Sequence, residues 1–483
     1  MSKLRMASLL FFLFVLAVSA ISQSPNSLDE KIPVRLLKED FSTLRSKLES
    51  SQPGLYLYTR KDSLDKIFDL MNNSLTEPMT SAEFYRKIAP LNKVLRNLHT
   101  LFWASAAYQK GAETGLPRFP LDIHWLDGRM YILRNNSVNP DIVAGSAVNR
   151  INGQNVDTIF KTLLEGTTRD GYNETYPIAR ASRNFGFYYA QLFGTPKTFV
   201  IELTSPDGSE QKIELEGVTA TEIDKTRIAK HDRRYSQYSE DWEAWISKKE
   251  PALRLEIRKD VAIMTLRTFH TWTIEANGQK YEEFIKDAFT QLASNKITSL
   301  IIDLRNNHGG HDLVGMSLMS YLHDSVFYYY KKRTSLVKPI GKSEKKGSMY
   351  EIAGRKGWIG KVVPAKPMYT GNVFVLMNGY SASATGEFIG HLKNINRAVF
   401  IGEEAGGNPV VFMGGQSLPV DLPHTRITGI LPLILNEMNV ELENNGHGVI
   451  PDYYIKPTIT DILQEKDVEM EFVINLIQKK HIN

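Results

Sequence analysis

Apolar residues recur at helical spacing along the first part of the chain. They lie three and four positions apart, as on the buried face of a helix, at Leu36, Leu37, Phe41, Leu44, Leu48, Leu64, Ile67, Phe68 and Met71. Thr80 followed by Glu83 has the pattern of an N-cap with a capping box. We therefore predict a helical region over residues 23–117, in which the helix that follows Thr80 ends near His99.

The next hundred residues have the shorter alternation that is typical of strands. Two such runs, at 198–204 and 211–215, flank the turn Ser205-Pro-Asp-Gly208 and predict a hairpin. We predict a β-rich domain over residues 118–218. Residues 219–252 are charge-rich and weakly periodic, which predicts a linker or a surface helix.

From residue 253 onward, strand-like and helix-like stretches alternate. The strands are predicted at 261–266, 299–304, 373–377 and 398–401, and the helices at 281–292, 315–322 and 384–392. Such alternation is typical of a parallel sheet with crossover helices. The predicted fold class is α/β and multidomain, with a core of mostly parallel strands over residues 253–457 and a closing helix over residues 458–483.

The N-terminus has the layout of an export signal. Lys3 and Arg5 precede an apolar run at 7–18, which is shorter than the ~20 residues that a membrane-spanning helix needs. Ala20 and Ser22 are small residues at the spacing of a cleavage site. We predict a signal peptide over residues 1–22 and a periplasmic or extracellular protein without stable membrane insertion; the alternative is an uncleaved N-terminal anchor.

Composition excludes several kinds of chemistry. The 483 residues include no cysteine, so disulfides, thiolate metal sites and a cysteine nucleophile are excluded. The net charge of +4 is small for a chain of this length and gives no reason to expect a nucleic-acid partner. We expect neither a cofactor nor a metal, and the sequence leaves the oligomeric state open.

Two predicted strands run into unusual loops. The first is followed by Asp303-Leu-Arg-Asn-Asn-His-Gly-Gly310, whose paired glycines can present free backbone N–H groups. The second is followed by Ser381-Ala-Ser-Ala-Thr-Gly-Glu387, which places Ser383 near the first turn of a helix. This is the layout of a strand–turn–helix nucleophile, although Gly-x-Ser-x-Gly is absent. Taken singly, the first loop is better explained as a plain glycine turn and the second as a serine helix cap.

Together, these two loops resemble the signature segments of the tail-specific (C-terminal processing) serine peptidases. Two further segments, 401–407 and 448–452, match that family in the same order, and residues 145–153 resemble the carboxylate-binding turn of a PDZ domain. The resemblance implies a ClpP/crotonase-like core, a PDZ-like domain and polypeptide substrates.

The resemblance also assigns roles to residues. It implies that Ser383 is the nucleophile, with Ser381 as the competing serine. The oxyanion would be held by the N–H of Ala384 together with the N–H of Gly309 or Gly310.

The best-known branch of the family uses a Ser–Lys dyad, but the matching position here is Asn408. The tricorn-core-like branch instead takes a histidine followed by a small hydroxyl residue, and this chain has His99-Thr100. That branch takes its orienting acid from the strand before the last motif, where Glu441 and Glu443 lie. The implied function is an exported serine endopeptidase that cuts exposed or unfolded chains. The alternative is a non-catalytic ligand- or peptide-binding protein on the same fold.

Overall fold

The computed structural model describes residues 30–229, 251–352 and 361–482. The predicted signal peptide and most of the predicted linker lie outside these ranges. The helices are α1 Val34–Ser51, α2 Lys61–Asn73, α3 Ser81–Ile88, α4 Leu91–Val94, α5 Ala106–Thr114, α6 Val156–Glu165, α7 Thr175–Arg183, α8 Phe185–Phe193, α9 Ala220–Ala229, α10 Thr271–Ala276, α11 Tyr281–Ser294, α12 Asp312–Ser320, α13 Ala384–Asn394, α14 Ile459–Leu463 and α15 Val468–Ile482.

The strands fall into three larger sheets and one two-stranded ribbon. They are β1 Leu101–Trp103, β2 Leu121–Leu126, β3 Arg129–Asn135, β4 Ala147–Ile151, β5 Gln154–Asn155, β6 Thr198–Thr204, β7 Glu210–Glu216, β8 Leu253–Arg258, β9 Val261–Leu266, β10 Ser299–Asp303, β11 Phe327–Tyr328, β12 Tyr330–Ser335, β13 Ser343–Lys346, β14 Met349–Ile352, β15 Lys361–Val362, β16 Asn372–Met377, β17 Val399–Gly402, β18 Val411–Asp421, β19 Thr428–Met438 and β20 Tyr453–Tyr454. Within the described ranges, no helix is both long and apolar enough to cross a membrane.

The central sheet has the strand order β20-β17-β16-β10-β9-β8. Its strands are parallel except for β8, which runs antiparallel to β9. The side chains of successive residues of β10 lie on opposite faces of the sheet. Leu300 and Ile302 pack toward α11, α12 and α13, whereas Ile301 packs with Val473 and Ile477 of α15. Because helices cover both faces, these strands are almost continuously apolar, as parallel strands usually are. The four strands predicted for this core are present.

A second sheet joins the N-terminal helices to the core. Its order is β1-β19-β12-β14-β13, with β18 paired to β19. The long hairpin β18–β19 packs against α1 to α4 through Val420 and Leu431. The sequence analysis did not predict this sheet. The helix predicted from Thr80 to His99 is also corrected: its capping box is present, but the helix ends at Ile88 and a short turn, α4, follows Pro90.

The middle region contains an antiparallel sheet of order β2-β3-β4-β6-β7, including the predicted hairpin β6–β7. β2 is its edge strand, where a captured peptide would add as a further strand. Helix α7 packs against this strand, and Trp125 N donates a hydrogen bond of 3.1 Å to Ser182 Oγ. Trp125 also stacks on Phe160 of α6 at a ring distance of 4.1 Å. The position that a bound peptide would take is therefore filled by the chain itself.

From this packing we expect that free-acid and C-terminally amidated forms of one peptide are cleaved at equal rates. Carboxylate capture by the middle region would require access to β2, which α7 covers. Paired kcat/KM measurements on the two peptide forms check this. A several-fold preference for the free acid would show instead that the middle region binds peptide C-termini.

Candidate active site

Two loops of the central sheet meet at the carboxyl ends of neighbouring parallel strands. β10 and β16 pair in register, with Asp303 opposite Leu376, so the loops that follow them start side by side. The second loop contacts the first through a hydrogen bond of 3.3 Å from Ala382 N to Asn307 O. Ligands and catalytic groups of open α/β sheets gather at this edge.

Ser383 has a backbone conformation that few non-glycine residues adopt. It lies directly before α13 with φ 53° and ψ −131°, and its side chain makes no capping hydrogen bond to the helix. A serine in an ordinary cap has an extended backbone and uses its hydroxyl on the helix N–H groups. The strained turn instead leaves the hydroxyl available, as in a nucleophile turn. The helix-cap interpretation of Ser383 therefore does not fit the geometry.

Ser381, the competing serine, is used by the fold. It is completely buried. Its Oγ donates a hydrogen bond of 2.8 Å to Leu304 O and accepts one of 3.1 Å from Asn378 N. The hydroxyl thus links the loop after β16 to the end of β10 through hydrogen bonds. Because it is buried, it is not accessible to a substrate.

The paired glycines allow close contact between backbones. Gly309 and Gly310 have φ values of +99° and +142°. A Cβ on Gly309 would lie 2.8 Å from the Cβ of Ser383, and a Cβ on Gly310 would lie 2.2 Å from the carbonyl carbon of Phe269. Any larger residue would separate the glycine loop from the serine loop.

The backbone donors beside Ser383 can be distinguished by their partners. The Gly309 N–H is engaged, since it donates to Asn307 Oδ1 at 3.0 Å. Within the described part of the chain, the N–H groups of Ala384 and Gly310 donate to no protein acceptor. Of the two glycines that the sequence offered, Gly310 therefore has the available donor. Ala384 and Gly310 together could hold an oxyanion.

His99 lies against Ser383. Its Nε2 is 3.0 Å from Ser383 Oγ, although 284 positions separate the two residues. Asn97 shapes the loop, because its Oδ1 accepts hydrogen bonds from His99 N at 2.9 Å and Thr100 N at 3.1 Å. Burial lowers the pKa of His99 to about 4, with the backbone of Met413 opposing this shift and nearby His308 adding to it. The imidazole is therefore neutral at neutral pH and can accept a proton.

The geometry does not support the predicted orienting acid. Glu441 and Glu443 are both exposed and do not reach His99. Nδ1 of His99 is buried, and among the described residues no carboxylate hydrogen bonds to it; the group that favours its protonated form is the backbone of Met413. Both glutamates lie after the end of β19, in an irregular stretch that leaves their side chains exposed. The backbone of His99 is held by Asn97 in its own loop.

Asn408 occupies the position where the dyad branch has lysine, and its contacts are structural. Its Nδ2 donates to Tyr58 Oη at 2.7 Å, and its Oδ1 accepts hydrogen bonds from Val410 N and Val411 N. It makes no contact with Ser383 in the described part of the chain, and no described lysine hydrogen bonds to the serine. The same part of the chain contains no cluster of three or more histidine, aspartate or glutamate side chains that could hold a metal.

Sequence reasoning missed two buried acids near the site. Glu387 on α13 accepts a hydrogen bond of 2.7 Å from Tyr330 Oη, and burial together with Asp312 raises its pKa to about 8. Asp170, between α6 and α7, accepts a hydrogen bond from Leu98 N at 2.8 Å. Glu387 is the last residue of the serine motif at 381–387, but the sequence analysis assigned it no role. Nothing in the local sequence marks Asp170, because its partners are distant along the chain.

Known proteins resemble this chain in one sequence family and in fold. Residues 260–455 match Peptidase family S41. The solved structure of mature CPAF complexed with lactacystin is 17% identical, with a TM-score of 0.63, and the alignment covers 92% of this chain and 97% of that chain. A mutant of CPAF is 16% identical with a TM-score of 0.66, over 90% of this chain and 95% of that chain. No curated protein matches the sequence closely enough to count as a relative.

At these identities the structural likeness establishes a shared fold, namely a multidomain α/β architecture. The family match covers strands β9, β10, β16, β17 and β20 of the central sheet with both loops of the site. The core is therefore similar to S41 peptidases over these residues, and this match indicates a serine-type peptidase.

Replacing Ser383 by alanine should abolish peptide hydrolysis and leave the melting temperature nearly unchanged, because in the described part of the chain its hydroxyl hydrogen bonds only to His99. Ser381→Ala removes two buried hydrogen bonds. It should lower stability by about 1–3 kcal/mol and leave substantial activity. Hydrolysis of an unfolded protein and thermal melts of both variants check this. The reverse ranking of activities would mean that Ser381 is the nucleophile.

Proposed function

We propose that this protein is an exported serine endopeptidase in which His99, and not a lysine, is the general base for Ser383. The observation that carries this proposal is the distance of 3.0 Å between His99 Nε2 and Ser383 Oγ. A nucleophile and its base need to lie within hydrogen-bond reach. Asn408, at the position of the dyad lysine, is held by other contacts.

In the proposed reaction, Nε2 of neutral His99 takes the hydroxyl proton while Ser383 Oγ attacks the peptide carbonyl carbon. The N–H groups of Ala384 and Gly310 stabilise the resulting oxyanion. His99 then gives its proton to the leaving amine, and the C–N bond breaks to leave an acyl-enzyme. Water hydrolyses this ester with His99 again as the base, which restores the serine hydroxyl.

We expect His99→Ala to lower kcat by a factor of about 10² or more, with a smaller change in KM. His124 on β2 is a matched control: burial lowers its pKa to about 4 as well, but it lies in the middle region. His124→Ala should therefore keep kcat. Steady-state kinetics of both variants check this. Full activity in His99→Ala would exclude the histidine mechanism and require another base.

The pH profile gives a second measure of the same base. Protonated His99 cannot accept the serine proton, so activity is lost where the imidazole protonates. Because burial lowers its pKa to about 4, the protonation that abolishes kcat/KM should occur near that value and not near the ordinary histidine value of ~6.5. Circular dichroism at each pH separates this loss from unfolding.

Export is proposed from residues 1–22 alone. Expression of the full chain in a bacterium with a periplasm, followed by N-terminal sequencing of the processed protein, tests it. A mature chain that begins at residue 23 in the periplasmic fraction or the medium is expected. An uncleaved chain in the membrane fraction would show that the segment is an anchor.

A further inference from the structure

A segment of the middle region passes directly behind the catalytic histidine. It comprises residues 170–176, which run from the connection after α6 into the first turn of α7. Gly171 exchanges two hydrogen bonds of 3.0 Å with Arg96, the first residue of the loop that contains His99. On its other side, Asn173 Nδ2 donates to Ala405 O at 3.0 Å and Thr175 Oγ1 donates to Glu404 O at 2.9 Å. The segment thus bridges the loop that contains His99 (residues 96–100) and the loop after β17.

Asp170 makes this bridge with a single side chain. It is 3% exposed. Its Oδ1 accepts a hydrogen bond of 2.8 Å from Leu98 N, and its Oδ2 accepts a longer one of 3.4 Å from Asn408 N. Leu98 is the residue directly before His99. One carboxylate therefore joins the backbone beside His99 to the backbone of Asn408, the residue at the position of the dyad lysine.

Apolar packing also connects residues 170–176 to the loop that carries Ser383. The side chain of Leu98 lies in a small apolar cluster with Tyr176, Tyr380 and Ala382. Tyr176 closes the 170–176 segment, and Ala382 directly precedes Ser383. A shift of the Leu98 backbone would therefore move His99 relative to Ser383. Among the described residues no carboxylate hydrogen bonds to Nδ1 of the ring to resist such a shift.

We propose that Asp170 is a positioning residue of the active site: its ionised carboxylate fixes the backbone of Leu98 and so keeps His99 Nε2 within reach of Ser383. This inference rests on the proposed function, because it needs His99 to be the base. It assigns to the middle region a role in the geometry of catalysis, in place of the capture of peptide C-termini.

The charge state of Asp170 makes the proposal measurable. Burial raises the pKa of Asp170 to about 7, and the N–H groups of Leu98 and Asn408 oppose this shift. No cation pairs with it in the described part of the chain: Arg96 bonds to Gly171 O, Arg169 bonds to Leu164 O and Glu174, and the neighbouring Tyr58 is neutral because its own pKa is raised. Protonation places an O–H against one of the two N–H donors, so one hydrogen bond is lost.

The direction in which kcat changes with pH follows from this lost hydrogen bond. Above about pH 7 the carboxylate accepts both N–H groups and the base is in place. Below that pH the wild-type enzyme should pass through a partial loss of kcat before the complete loss caused by protonation of His99. Asp170→Asn cannot titrate and offers one acceptor and one donor to two N–H groups. It should lower kcat about 10-fold or more, with KM within about a factor of two, and should lack the upper step of the pH profile.

Asp40 provides a matched control. It is completely buried and accepts hydrogen bonds from His424 N at 3.2 Å and Thr425 N at 2.7 Å. These two residues lie in the loop between β18 and β19, away from Ser383 along the hairpin. Asp40→Asn makes the same chemical change to the same kind of clamp. It should lower the melting temperature and keep the wild-type kcat and pH profile.

The experiment measures kcat, KM and melting temperature of the full mature chain from about pH 5 to about pH 9 for wild type, Asp170→Asn and Asp40→Asn. A loss of kcat and of the upper pH step in Asp170→Asn alone supports the proposal. It is overturned if Asp170→Asn behaves like Asp40→Asn. If Asp170→Asn fails to fold, the wild-type profile decides, because a flat profile around pH 7 contradicts the proposal. Retained activity in Ser383→Ala would instead show that the proposed function is wrong.

Discussion

The proposed chemistry depends on one contact, the hydrogen bond between His99 and Ser383. The serine comes from the central sheet, and the histidine comes from a region 284 positions earlier. Neither group acts alone, because a serine hydroxyl is a weak nucleophile without a base within reach. The second sheet is what brings them together: β1 follows the histidine loop directly and pairs with β19, with Leu101 opposite Ile430.

The sequence predicted the central sheet well and the second sheet not at all. The strands β9, β10, β16 and β17 are short apolar runs between amphipathic helices, and local periodicity is sufficient to locate them. β18 and β19 contain Gly414, Gly415, Pro419 and Pro432, residues that normally argue against a strand. A register shift between Gly414 and Ser417 accommodates part of this irregularity. Such pairing over long sequence distances depends on tertiary packing, which periodicity does not report.

The same limit applies to the candidate site. The two loops that hold Ser383, Ala384 and the paired glycines could be located from the sequence because each follows a predicted strand, but their roles came from the family resemblance. His99 could be proposed only through the family resemblance. Glu441 and Glu443, expected as the orienting acid, are exposed, since position along the chain does not determine where a side chain points. The lowered pKa of His99 results from burial, which no motif shows.

In the proposed function, His99 is a base that burial keeps neutral and that contacts of its backbone hold in place. The most direct test of this account is labelling of the mature protein with a serine-directed fluorophosphonate, followed by peptide mapping. The account predicts one label per chain, on Ser383, formed much more slowly in His99→Ala. Absence of labelling in the folded wild type, or labelling at another serine, would contradict it, and the former result would favour a binding protein on the same fold.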